Sequence, residues 1–203
     1  MTTRAIVALG FAPHSGWAAV IGMRLRDGHP SVLVRERVEM SDPRDPGSKQ
    51  PYHAVAGLPV AKASQRLADY EATAATMAHQ AIERLVEQLN GGGQQVIGVG
   101  ILESSGRKGS SLADTLASHA LIHAAEGNHF RNAIATAATR CVLAVSRVRA
   151  RELDAEAAAA IGEAPETLRQ ALKELGREIG PPWGADQKAA ALFAWLVLAR
   201  GLE

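Results

Sequence analysis

The chain has one cysteine, and its aromatics amount to three tryptophans, two tyrosines and three phenylalanines in 203 residues. A lone Cys141 excludes an internal disulfide. Its neighbours Val142 and Leu143 predict a buried thiol on a strand, which fits a reducing compartment. The N-terminus lacks the basic-then-apolar order of a secretory leader, so a cytoplasmic location is expected. No excess of one charge exists either: 22 basic against 21 acidic side chains leave a formal charge of +1. Any nucleic-acid contact must therefore come from a local patch, and with so few aromatics no base-stacking platform is evident. The longest apolar run, Ala189 to Ala199, is too short to cross a bilayer, so no membrane partner is expected. Gly91-Gly92-Gly93 precedes a strand rather than a helix, which makes it a turn and not a phosphate loop. Ser104, Ser105 and Ser110 have no identifiable base, and no nucleophile elbow is present.

What is there is the size and composition of one globular domain, 1–203, without repeats. Arg4 to Phe11 is a nearly continuous apolar run, as for a strand covered on both faces. Gly16 to Leu25 returns, and Ser31 to Met40 follows the Asp27-Gly28 turn, giving an antiparallel meander. Residues 41–60 show no period and are rich in Pro, Gly, Asp and Lys, so they read as a long loop. Ala63 to Leu89 carries a helical stripe, and Val96 to Leu102 is a fourth strand ending at Glu103. Ser111 with Asp114 has the form of a helix start. One helix is predicted from there to about Gly127 and a second piece over Asn128 to Thr139. A fifth strand follows at Cys141 to Val148, then helices over 149–160, from Pro165, and over 185–200. The order β-β-β-α-β-α-β-α-α-α predicts an α/β fold: a five-stranded mixed sheet, three antiparallel strands then βαβ crossovers, with helices on its faces.

In that order the ends of strands one and four come close, beside the head of the last helix. The residues there are Leu9-Gly10-Phe11-Ala12-Pro13-His14-Ser15-Gly16, then Ile101-Leu102-Glu103, then Gly184-Ala185-Asp186-Gln187-Lys188. These motifs resemble the ribonuclease H-like superfamily and, within it, the Holliday-junction resolvase branch. That branch begins with Ile-Asp-Pro-Gly-Ser-Gly, has Ile-Glu at the end of strand four and carries acids at the head of its last helix. The resemblance implies a metal-dependent endonuclease that uses Mg²⁺ or Mn²⁺ on structured nucleic acid and works as a homodimer. Carried over by position, Glu103 and Asp186 match catalytic carboxylates and metal ligands. The first aspartate falls on Ala12, which cannot bind a metal, and Lys188 stands where more negative charge is usual.

His14 is the possible replacement ligand, since a neutral imidazole takes a transition metal such as Mn²⁺ or Zn²⁺. The plainer readings are that His14 serves the turn, that Glu103 is a solvated acid, and that Asp186 answers the helix dipole. Lys188 and Arg107, with Lys108, Arg35 and Arg37, are candidate phosphate contacts, Arg35 and Arg37 pointing to one side of the sheet. His119 and His123, four apart with Glu126 nearby, have metal spacing, while their Ala-Leu-Ile-Ala surroundings predict a helix packed on the sheet. Phe193 and Trp195 lie either in a dimer seam or against the sheet. Two functions stay open: a resolvase-type nuclease, weakened or lost through Ala12, and a non-catalytic module of the same fold that binds nucleic acid or protein.

Overall fold

A computed structural model describes residues 4–103, 109 and 111–201. The sheet is built from β1 (Ala5–His14), β2 (Trp17–Arg26), β3 (His29–Glu39), β4 (Gln94–Glu103) and β5 (Ala144–Arg149), in the order β3-β2-β1-β4-β5. The first three strands are antiparallel neighbours, and β1–β4 and β4–β5 are parallel, as the sequence predicts. The helices are α1 (Pro51–Val55), α2 (Val60–Gly91), α3 (Leu112–Leu116), α4 (His119–Arg140), α5 (Leu153–Ile161), α6 (Pro165–Ile179) and α7 (Ala185–Arg200).

Strand alternation divides the core in two. Val7, Leu9 and Phe11 of β1 face α2 and α4, joining Leu85, Ile82, Phe130 and Ile134. Ala8 and Ala12 face the opposite way, against α7, with α5 and α6 outside it. The central strands are thus apolar on both faces, which is why their sequences read as continuous runs. α7 is apolar nearly all round, and its Phe193 and Trp195 are buried against the sheet rather than offered to a dimer partner.

Two glycines set how closely α7 lies. A Cβ on Gly10 would collide with the backbone of Ala190 and Ala194, and one on Gly100 would enter the ring of Phe193. The α7 backbone therefore rests directly on β1 and β4.

Several expectations are corrected. The stretch 41–60 is not structureless: it forms a 3₁₀ turn at Pro46–Lys49, then α1 and the start of α2. Its order comes from short-range polar bonds that leave no period. Asp45 accepts from the Gly47 amide (3.2 Å), and the Ser48 hydroxyl donates to the carbonyls of Asp45 (2.7 Å) and Asp42 (3.1 Å). The Ser111 start is correct, since its Oγ accepts from the Asp114 amide, but that helix stops at Leu116. α4 then runs unbroken through Gly127, because its packed face outweighs the glycine's weak propensity. Cys141 is not on a strand. It caps α4 at partial burial, followed by Val142 at φ 58 and almost fully exposed.

One core group carries a pH dependence. His129 on α4 is buried beside Tyr52 and Phe130, and neither ring nitrogen has a hydrogen-bond partner among the described residues. Burial pushes its pKa down to about 4. The unfolded chain, at the ordinary 6.5, binds this proton first. The stability held by neutral His129 is full above about pH 6.5 and is lost as pH falls toward 4, a span worth on the order of 3 kcal/mol. Urea unfolding between pH 7 and 4 should show that loss, and His129→Gln should flatten it. Separately, Gly10→Ala is expected to destabilise by at least about 1–3 kcal/mol through overpacking under α7, read as a lower thermal midpoint.

Candidate functional site

The β1–β2 hairpin closes through Ser15 and Gly16, and Gly16 takes the φ of 82° the corner requires. This pairs His14 with Trp17 across the strands. The head of α7 arrives at the same place. Its first turn is anchored by Gln187 Oε1, which accepts from the Gly184 amide at 2.9 Å, and Asp186 lies at its positive end.

The structure brings two of the expected residues together. His14 Nε2 is 3.0 Å from Asp186 Oδ1, with both side chains about two-fifths exposed. His14 also stacks on Trp17, ring centroids 4.3 Å apart and planes 7° from parallel. The Arg37 guanidinium carbon lies 3.9 Å from the Trp17 ring centroid, and its Nε is bound by Glu39. Trp17, on the middle strand, thus stands between His14 on β1 and Arg37 on β3. The row Asp186–His14–Trp17–Arg37–Glu39 runs along the α7 face of the sheet.

Glu103 does not join them. Its Oε1 accepts from Arg147 Nη1 at 2.6 Å, and the same guanidinium reaches Asn132 Oδ1 of α4 at 3.4 Å. Glu103 therefore lies on the α4 face, at the same end of the sheet but through it from Asp186. A register irregularity is the cause. Val7 pairs with Val96, but Ala8 pairs with Gly98, leaving Ile97 as an extra residue in β4. Ile97 packs into the α7-side core, and a Cβ on Gly98 would also meet Val197 of α7. Two successive positions thus face one way, and every later residue of β4 is inverted. Leu102, not Glu103, comes to the α7 face and packs in the same core as Ala12.

Of the other candidates, Arg35 is engaged by the carbonyls of Gly180 (2.5 Å) and Pro182 (3.2 Å), where it ties β3 to the turn before α7. Arg35 and Arg37 do share the α7 face, being paired with Ile21 and Ala19 of that core. Lys188 borders a cleft of about 430 Å³ at the carboxyl end of β4, floored by Leu102, Leu153 and Leu192 and rimmed also by Lys173. Arg107 and Lys108 lie outside the described residues. Trp17, central to the row, is missed by the sequence reading. Its position directly after the glycine of the corner was the available signal.

The donor set does not fit a pair of hard divalent cations. Such ions want several carboxylate oxygens. The α7 face supplies one carboxylate already paired with a histidine, and Ala12, only 4 % exposed, supplies nothing. Among the described residues, His14, Glu103 and Asp186 do not draw their ligand atoms within 4.8 Å of one another, whereas His53, His119 and His123 do.

The strand order and the helices on both faces define an α/β fold of the ribonuclease H-like, RuvC type. The chain is similar in structure to T. thermophilus RuvC in complex with Holliday junction substrate: TM-score 0.55, 14 % identity, covering 97 % of this chain and 95 % of that one. A second Thermus thermophilus RuvC structure matches at a TM-score of 0.54 with the same identity and coverage. No protein-family model and no curated protein matches the sequence. Among the described residues no helix is long and apolar enough to cross a membrane.

The burial of Ala12 makes a direct test possible. Ala12→Asp puts an unpaired carboxylate into the apolar contact with α7, and should cost on the order of 2 kcal/mol or more at neutral pH. The urea midpoint checks this. The deficit should shrink at low pH, where the new acid protonates.

Proposed function

We propose that this chain is a non-catalytic nucleic-acid-binding module on the resolvase fold, acting on structured DNA or RNA as a homodimer. The observation that carries the loss of hydrolysis is Ala12: the position matching the branch's first aspartate is a buried methyl group in the core beneath α7. The inversion of β4 supports it further, because Glu103 is spent on Arg147 across the sheet.

The binding half of the reading draws on the fold's likeness to a RuvC that is described with a junction substrate. It draws also on the Trp17 row. With its faces covered by His14 and Arg37, the Trp17 ring does not stack a base; it holds the Arg37 guanidinium in a fixed place where a phosphate can meet it. Arg37 supplies a cation for phosphate in the row, and Lys188, on the cleft at the carboxyl end of β4, supplies a separate one. The carboxylates of Asp186 and Glu39 offset the charge of Arg37, so affinity here is modest.

One observation favours a second reading, residual hydrolysis. Asp186 holds His14 Nε2 at 3.0 Å, which leaves the other ring nitrogen to take a proton from water. Gel-shift and cleavage assays on four-way junctions separate the two. The binding reading expects a retarded complex, no nicking in Mg²⁺ or Mn²⁺, and weaker binding for Arg37→Ala with the log–log salt slope falling by about 1, the loss of one phosphate contact. Cleavage abolished by Asp186→Asn establishes the second reading instead. Absence of both binding and cleavage overturns both readings, and a monomer by sedimentation removes the homodimer.

A further inference from the structure

On the α4 face of the sheet, across it from the Trp17 row, three histidines converge. His119 and His123 are one turn apart at the start of α4, their ring centroids 4.3 Å apart. His53 of α1 lies against both, at 5.4 Å and 4.8 Å between centroids. One nitrogen from each ring lies within 4.8 Å of the other two. The fourth member is Glu126, one turn further along the same face of α4 and only 2 % exposed. Its Oε1 accepts from the His53 backbone amide at 3.2 Å and sits 2.9 Å from His53 Nδ1.

From this arrangement we infer that His53, His119 and His123 form a transition-metal centre, with zinc the fitting ion, and that Glu126 positions His53 within it. Edge-to-face contact between the rings, worth about 0.5–1.5 kcal/mol a pair, does not by itself call for gathering one nitrogen from each of the three. Three neutral imidazoles are instead the donor set that zinc takes when one position stays open to water. A buried carboxylate holding the far nitrogen of a ligating histidine fixes the tautomer. With Nδ1–H directed at Glu126, Nε2 is the lone pair left for the ion. It also explains why a carboxylate is buried here: among the described residues its two hydrogen bonds are both from the residue it orients.

The geometry needs only a small contraction. Nitrogens around a tetrahedral zinc stand about 3.3 Å apart, from Zn–N near 2.05 Å. His119 and His123 are exposed, so their rings can turn inward without repacking the core. His53 comes from the 41–60 stretch and the other two from α4, so a bound ion ties that stretch to the helix covering the sheet. The centre is independent of the nucleic-acid reading and shares no residue with it.

The test uses the full chain without an affinity tag at about pH 7.5, since metal binding competes with protons for its ligands. Titration with Co²⁺ is expected to give one equivalent bound with the visible absorption of a tetrahedral site, displaced by Zn²⁺. Zn²⁺ alone should raise the thermal midpoint, as a ligand of the folded state does. The double variant His119→Asn, His123→Asn, whose changes are on the surface, should lose both signals while keeping its circular dichroism. Glu126→Gln should weaken Zn²⁺ binding about 10–100-fold, the usual cost of losing a carboxylate behind a ligating histidine. A Co²⁺ spectrum unchanged in the double variant, or no stoichiometric binding by the parent chain, overturns the proposal.

Discussion

The closeness of α7 to the sheet is the constraint on which the rest of the molecule depends. Two strands give up their side chains where the helix crosses them, Gly10 on β1 and Gly100 on β4. The apolar helix then fills the space with Phe193, Leu196 and Ala194. That contact orders the α7-side core, and it fixes the depth at which the head of the helix meets the β1–β2 corner. The pairing of Asp186 with His14 follows from it. An exposed pair of this kind contributes little to stability by itself, so it reports the placement of α7 rather than causing it.

Much of this was legible in the sequence because it rests on period. The apolar runs of β1 and β4, the helical stripe of α2 and the crossover order are set by burial on one or two faces, and burial writes itself as spacing. What was not legible rests on single residues. The 41–60 stretch is ordered by Asp45, Ser48 and the bonds they make two or three residues away, which look in sequence like any polar loop. His53 sits in that stretch, far along the chain from His119 and His123. Only the tertiary placement of α1 on the start of α4 makes the three a cluster.

The candidate site divides the same way. The meeting of the first corner and the last helix follows from topology, and sequence order was enough to expect it. The place of Glu103 depends on the parity of a strand, and parity depends on one unpaired residue at Ile97. No pattern of apolar residues announces that insertion, because valine, isoleucine and glycine on either side suit both faces of a doubly covered sheet. The acid therefore arrives at the right end of the sheet with its carboxylate turned to Arg147.

That extra residue has an implication for how such a scaffold changes role. Substituting Ala12 restores one donor, yet leaves the second acid on the far side of a hydrogen-bonded layer that no rotamer can cross. Recovering convergence calls for β4 to slide one residue against β1 so that Ile97 joins the ladder, a change of register rather than an exchange of side chains. Such a slide would also turn Val99 and Ile101 out of the α4-side core toward α7. Chemistry and packing are locked to a common frame here, and the chain cannot shift one without rebuilding the other.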